Sequence, residues 1–437
     1  MNVLIVGGGG REHAIAWKLA RERVVSRVLC APGNPGIARV ADLAAGDAAD
    51  VDALCALAAH QAIDLTIVGP ELPLDRGLVD RFRAQGGRIF GPPRAAAQLE
   101  CSKVFAKSFM ARHGIPTARY RVCGNAHDAR AIVGSGEFGF PVVLKADGLA
   151  AGKGVVVAAD LDEAERAIRG AMEERQFGDA GSRLVVEECL SGPEVSFFAV
   201  CDGTRALPIT SAQDHKRIFD EDRGPNTGGM GAFAPSPLLD RDLESRVMRE
   251  IIEPVLRGMR MEGTEYRGFL YAGLMLTCAG PKVIEFNVRF GDPEAQAVMP
   301  LVDSDLAPLL AAAADGDLGA HTLRMSRHVS VGVVLASGGY PGPIKSGVPI
   351  DGLDDAARVD GVQVFHAGTA LKDNRVVTAG GRVVTVVATG RDYADARARA
   401  YGAVDRVSFD GMQHRRDIGL KALGPAGRQA AESPHRV

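Results

Sequence analysis

Residues 142–158 read Val142-Val143-Leu144-Lys145-Ala146-Asp147-Gly148-Leu149-Ala150-Ala151-Gly152-Lys153-Gly154-Val155-Val156-Val157-Ala158. Two short β-branched runs flank a glycine- and lysine-bearing link, which predicts two strands joined by a hairpin. A P-loop needs four residues between its first glycine and Gly-Lys, then Ser or Thr for the metal; here three intervene and Gly154 follows Lys153. The link also runs into a strand, so no helix N-terminus lies beneath it. Such a hairpin can close over a polyphosphate, adding charge and excluding water. A surface hairpin with solvated lysines is the alternative at this point.

Outward from this hairpin, the residues from 120 to 190 continue as strand, helix and strand. A charged helix is expected over 161–175 and a strand over 184–188. Upstream, short apolar runs at 3–6, 27–30, 65–68 and 88–90 alternate with helical patterns at 12–22, 51–61 and 74–85, which argues a parallel βαβ domain. A helix from Ser102 to His113 follows, stopped by Gly114-Ile115-Pro116. From 195 to about 300 the pattern is mixed α+β, with a polar, glycine-rich stretch at 211–231 expected to lack strand or helix character. Stretches of that kind inside a domain are usually functional. Beyond 330 come β-rich segments at 329–336, 362–366 and 382–388 and one helix at 392–407. The fold class expected is multidomain α/β and α+β, with divisions at 1–103, 104–329 (a smaller unit about 121–190 within it), 330–425 and a tail at 426–437.

Composition narrows the function. The chain has 437 residues, too many for one core and enough for two or three domains. A formal net charge of −3 gives no field for nonspecific binding to nucleic acid or an anionic membrane, so small-molecule partners are expected. Leader and membrane-spanning segments are not seen in the sequence, which reads as cytoplasmic. The seven cysteines form no Cys-x-x-Cys pair and are expected to be buried free thiols rather than disulfides or zinc ligands. The 53 glycines and 23 prolines lack a collagen-like period, so their clustering is the informative feature.

Gly7-Gly8-Gly9-Gly10 follows a strand and opens a helix, an outline of an anion site, with Arg11 directly behind it. A tight packing turn would use the same glycines. The dinucleotide fingerprint fails because Glu12 stands at its third glycine, and the second strand ends Ala31-Pro32-Gly33 where an acidic ribose ligand would be needed. Hydride transfer from a nicotinamide is therefore disfavoured. In Lys282-Val283-Ile284-Glu285-Phe286-Asn287-Val288-Arg289-Phe290, strand alternation puts Glu285, Asn287 and Arg289 on one face and Ile284, Phe286 and Val288 on the other. A carboxylate, an amide oxygen and a guanidinium suit magnesium with substrate phosphates. A solvated face with an incidental Glu-Arg pair is the alternative.

The motifs Gly9-Gly10-Arg11-Glu12-His13-Ala14, Ala31-Pro32-Gly33-Asn34, Val68-Gly69-Pro70-Glu71, 145–155, Gln213-Asp214-His215-Lys216-Arg217, 224–232, 285–294 and Phe365-His366-Ala367-Gly368-Thr369 together resemble the ATP-grasp ligases, and within them the glycinamide ribonucleotide synthetase family. The resemblance runs from Met1 to about residue 422. It implies an N-terminal domain ahead of an ATP-grasp core with a mobile lid subdomain, then a C-terminal β-rich domain. It implies ADP-forming ligation of glycine to 5-phosphoribosylamine through glycyl phosphate, in purine biosynthesis, with ATP and Mg2+ or Mn2+, by a monomer or weak oligomer. It further implies that Lys107 and Lys145 contact ATP phosphates and that the lid at Gly152, Lys153 and Gly154 closes over them. Glu187, Glu188 and Leu190 would line the adenine and Glu194 would hold the ribose. Glu285 and Asn287 would hold the metal, with Arg289 near the transferred phosphoryl. Asp214 would take the glycine ammonium with Gly273 close by, and Gly10, Arg11 and Glu12, assisted by Asn226 and its loop and by Pro293, would bind phosphoribosylamine. The strand 271–277 carries no second metal carboxylate. An ATP-grasp carboxylase acting on bicarbonate and a nucleotide-binding module without turnover are the rivals; Asp214 with the 224–232 loop argues against the first, and the Glu285/Asn287/Arg289 face with both lysines against the second.

Overall fold

The computed structural model describes residues 1–148 and 154–424. Near the N-terminus, β1 (Asn2–Gly7), β2 (Arg27–Pro32), β3 (Asp42–Leu43), β4 (Leu65–Val68) and β5 (Ile89–Phe90) form a parallel sheet in the order β3-β2-β1-β4-β5. Alternate residues of β1 enter different cores: Leu4 and Val6 join Leu54 and Phe82, whereas Val3 and Ile5 join Ile15 and Leu19. That is how a parallel sheet covered on both faces must read. Helices occupy Gly10–Leu19 and Val51–His60. The single helix expected over 74–85 is two, Glu71–Asp75 and Leu78–Ala84, because Gly77 between them takes φ +80°.

The hairpin strands belong to a four-stranded antiparallel sheet of β6 (Tyr120–Cys123), β7 (Val142–Ala146), β8 (Val155–Ala158) and β9 (Leu184–Glu188), ordered β6-β9-β7-β8. Asn125 and Asp160 cap its two helices, Ala126–Gly134 and Leu161–Ile168, by accepting from the amides of Asp128 and Glu163. Leu144 and Val186 face those helices in a core separate from the rest of the molecule. By strand alternation Lys145 and Glu187 therefore face the other way. Gly152 and Lys153 lie outside the described residues, as does the tail 426–437.

An eight-stranded sheet makes the body of the molecule, ordered β16-β15-β10-β11-β14-β17-β21-β18. Its strands are β10 (Glu194–Asp202), β11 (Ala206–Asp214), β14 (Gly231–Ala234), β15 (Arg267–Thr277), β16 (Gly280–Asn287), β17 (Val329–Ala336), β18 (Val362–His366) and β21 (Arg382–Gly390). Gly231 to Ala234 pair with Ser330 to Val333, so the sheet passes without a break from the residues before 330 into those after it. The C-terminal strands are thus an extension of the core sheet. Two small hairpins complete the strands, β12 (Arg217–Phe219) with β13 (Arg223–Asn226), and β19 (Thr369–Lys372) with β20 (Arg375–Thr378). The 211–231 stretch is accordingly not structureless: β11 extends to Asp214 and a hairpin follows, with Glu221 and Asp222 in left-handed backbone at its turn.

A bulge in β16 corrects the expected alternation. Gly273 pairs with Glu285 but Leu274 pairs with Val283, which leaves Ile284 as the extra residue. Val283, Phe286 and Val288 are core residues, whereas Ile284 is half-buried. All seven cysteines are free thiols, five of them buried, and Cys278 is exposed rather than buried as expected. Among the described residues no helix is long and apolar enough to cross a membrane.

Candidate active site

Two lysines from different elements converge on one carboxylate. Ser102 caps the helix Lys103–Arg112 by accepting from the Phe105 amide, and Asp147, just after β7, accepts from both the Ser102 hydroxyl (2.8 Å) and the Val104 amide (3.1 Å). This joins the helix carrying Lys107 to the strand carrying Lys145. Both ammonium groups pair with Glu187, Lys145 at 2.5 Å. Lys107 also donates to Thr117 Oγ1 (2.8 Å), and Lys145 to the Ile284 carbonyl (3.0 Å), the group freed by the bulge. Burial lowers the Lys107 pKa to about 8, with Glu187 opposing and Lys145 reinforcing the fall. The Glu187 carboxylate is thus a counter-ion for two cations. Glu188 instead pairs with Arg119 (2.7 Å) and Lys282 (3.4 Å), and Leu190 lies in the half-buried link between β9 and β10. Gly154 is buried, its carbonyl accepting from the Ala146 amide.

The second cluster surrounds the end of β11. Lys216 Nζ lies 2.9 Å from Glu194 Oε2 and 3.9 Å from Glu285 Oε1. Lys216 was not singled out from the sequence, although its spacing of two from Asp214 is a same-face signal. Burial raises the Glu285 pKa, but Lys216, Lys103, Lys145 and Arg289 outweigh it, and the net shift is downward. Gly273 faces Glu285 across the pair, where a Cβ would stand 3.2 Å from Glu285 Cγ. Asn287 follows on the same face, half-buried. One carboxylate and one amide oxygen fit a magnesium ion that takes its remaining ligands from phosphates and water. The preceding strand β15, Arg267–Thr277, has no Asp or Glu in its sequence.

Asp214, at the end of β11, is the carboxyl group of this cluster whose pKa rises. Burial raises its pKa to about 8; Lys216 opposes this, while Glu294, Glu194 and Glu285 add to it. No hydrogen bond reaches its carboxylate from the described residues. The loop opposite it approaches closely, since a Cβ on Gly229 would stand 3.5 Å from Asp214 Oδ2 and 2.5 Å from Pro293 Cδ. Asn226 itself is exposed on β13, away from this contact. Arg289 is held by Glu71 (3.2 Å) and Glu100 (2.7 Å), and Glu100 also accepts from the Val288 amide (2.8 Å). Neither acidic partner was identified from sequence, because each lies more than 180 residues away in the chain.

The first glycine loop is occupied by its own helix. Glu12 Oε2 accepts from the Gly9 amide (2.6 Å), and Oε1 pairs with Arg11 Nε (2.7 Å). A Cβ on Gly7 or Gly69 would stand 2.7 and 2.2 Å from Glu12 side-chain atoms, so these glycines make room for a buried carboxylate. Arg11 also donates to the Phe290 carbonyl (3.0 Å), next to Arg289. The buried Gly10 lies against Gln296 and Ala367. The loop therefore presents less free backbone to an anion than its composition implies.

Models of the phosphoribosylglycinamide synthetase N domain, ATP-grasp (A) domain and C domain match residues 1–100, 101–295 and 330–421. The chain belongs to the phosphoribosylglycinamide synthetase family. A phosphoribosylamine–glycine ligase from Xylella fastidiosa is 53% identical over 97% of this chain and 98% of its own length. One from Pseudomonas aeruginosa is 52% identical over 99% and 100%. The crystal structure of a phosphoribosylamine–glycine ligase from Thermotoga maritima superposes with a TM-score of 0.83 at 34% identity, covering 95% of this chain and all of that one. The family's ATP-grasp (A) domain match at 101–295 contains Asp214, the lysine pair and the Glu285/Asn287 strand.

Proposed function

We propose that the chain ligates glycine to 5-phosphoribosylamine with ATP, forming glycinamide ribonucleotide, ADP and phosphate, as the names of its relatives indicate. The observation that carries the reading is the Lys145 contact to the bulged Ile284 carbonyl, which places both lysines against the strand presenting Glu285 and Asn287. A glycine carboxylate oxygen attacks the γ-phosphorus and ADP departs; the amine of phosphoribosylamine then attacks the acyl carbon, phosphate departs and the new amide nitrogen loses a proton. No enzyme nucleophile takes part, so rate depends on positioning and charge neutralisation. Lys107 and Lys145 bind the ATP phosphates, which take the place of their shared counter-ion Glu187. Gly152, Lys153 and Gly154 close the lid formed by residues 121–190; Glu188 and Leu190 flank the adenine and Glu194 the ribose. Glu285 and Asn287 hold Mg2+ or Mn2+, which when bound neutralises phosphate charge. Arg289, fixed by Glu71 and Glu100, faces the transferred phosphoryl. Asp214 takes the glycine ammonium beside Gly273, and Gly10, Arg11, Glu12, Asn226 and Pro293 serve the phosphoribosylamine end. The protein works in the cytoplasm on small molecules, as a monomer or weak oligomer.

The test is ADP release with phosphoribosylamine made in situ from ribose 5-phosphate and ammonia. Release should require glycine and magnesium together. Equal release with bicarbonate in place of glycine overturns the ligase reading. Glu285→Ala should abolish turnover while weak ATP binding persists, and wild-type turnover there removes the metal assignment.

A further inference from the structure

The loop that meets Asp214 is held from outside the ATP-grasp domain. The Gly228 amide donates to Tyr340 Oη (2.9 Å), and its carbonyl accepts from Arg382 Nη1 (2.5 Å). The same Arg382 nitrogen donates to the Asp292 carbonyl (2.7 Å) and stands 3.3 Å from the Asp292 carboxylate. One guanidinium therefore ties the loop to the Asp292-Pro293 turn, and the next residue, Gly229 at φ +109°, is the one packed on Pro293 and Asp214.

Both clamping side chains are themselves fixed. The Tyr340 ring lies against Gly381, where a Cβ would stand 2.2 Å from it, and the Tyr340 carbonyl accepts from Gln413 Nε2 (2.9 Å). Arg382 begins β21, whose backbone is locked into the eight-stranded sheet. Gly228 is thus gripped at its N–H and its C=O by two residues of the C-terminal region, one position before the glycine packed on Asp214.

We propose that Arg382 and Tyr340 are positioning residues for the glycine end of the site, acting through Gly228 and Gly229 rather than by touching ATP. This rests on the ligase reading above, with Asp214 as the ammonium ligand. If the clamp relaxes, Gly229 and Pro293 lose their fixed distance from Asp214, and the amino-acid pocket widens while the lysine pair keeps its geometry.

The test compares Tyr340→Phe, Arg382→Lys and Arg382→Ala in steady-state kinetics with each substrate varied. The phenol deletion removes one neutral hydrogen bond and should raise the glycine KM roughly tenfold; Arg382→Ala should raise it by up to about a hundredfold. The lysine variant keeps charge but not the fork and should fall between wild type and alanine. The KM for ATP should stay within about twofold. Parallel rises in both KM values, or a lower kcat with both unchanged, would mean a merely structural role and overturn the proposal. An unchanged glycine KM in the mild Tyr340→Phe variant would overturn it too. Failure of wild-type protein to release ADP with glycine would instead bring down the ligase reading, so the two failures are separable.

Discussion

The phosphate end and the glycine end of the cleft handle charge in opposite ways. At the first, Lys107 and Lys145 share the Glu187 carboxylate, so each cation has a counter-ion and the trio keeps one net positive charge. At the second, Asp214 accepts no hydrogen bond from the described residues, and burial with three neighbouring carboxylates outweighs Lys216 and makes it bind its proton more tightly. A triphosphate brings several charges and can compete with an internal counter-ion, whereas a single ammonium brings one, and a vacant carboxylate suits it better. The price of the second arrangement is a site whose readiness depends on pH.

Breaking the first end should have the largest effect. Glu187→Gln leaves two buried lysines unpaired and should cost about 3–5 kcal/mol in denaturant unfolding. Saturating ATP with magnesium should recover much of it, by about 2.7 kcal/mol at a hundredfold excess over Kd. A full loss that ATP does not reduce would mean that the lysines do not face the nucleotide. Breaking the geometry of the second end comes next. Gly229→Ala puts a Cβ against Pro293 at a backbone angle that side chains avoid, and activity should fall about 10²-fold with little change in ATP binding. Near-wild-type kcat/KM for glycine would separate the loop from the site.

The smallest and sharpest test is pH. Asp214 is protonated below about 8 in the free protein, so kcat/KM for glycine should rise with pH and level near that value, by roughly tenfold per unit below it. Asp214→Asn should lower the value and flatten this limb. The stability sign is the reverse of a salt-bridged aspartate: a raised acid pKa favours the fold at low pH, and the benefit is lost as pH climbs from the ordinary carboxylate range through about 8. The unliganded Asn variant should therefore gain thermal stability relative to wild type above that pH.

Local patterns carried much of this into the sequence. The failed P-loop spacing at 148–153, the β-branched flanks and the Glu285/Asn287 alternation were readable because each depends on neighbours within a few residues. Ile284 was misassigned because a bulge is fixed by the partner strand, and period two holds only in its absence. The pairing of Arg289 with Glu71 and Glu100, and the role of Arg382, were not legible because they exist only after distant segments meet. The glycines at 7–10 were legible as special backbone, but composition does not say whether the space so made is for a ligand or, as with Glu12, for the chain's own carboxylate.

The unbroken hydrogen bonding between β14 and β17 bears on how the protein can be dissected. A fragment ending at 329 would lose both Tyr340 and Arg382 and bare the edge of β14, and the complementary piece would bare β17. Unpaired strand edges of that kind invite association with other chains. The two halves are therefore expected to be insoluble apart and to recombine only when refolded together.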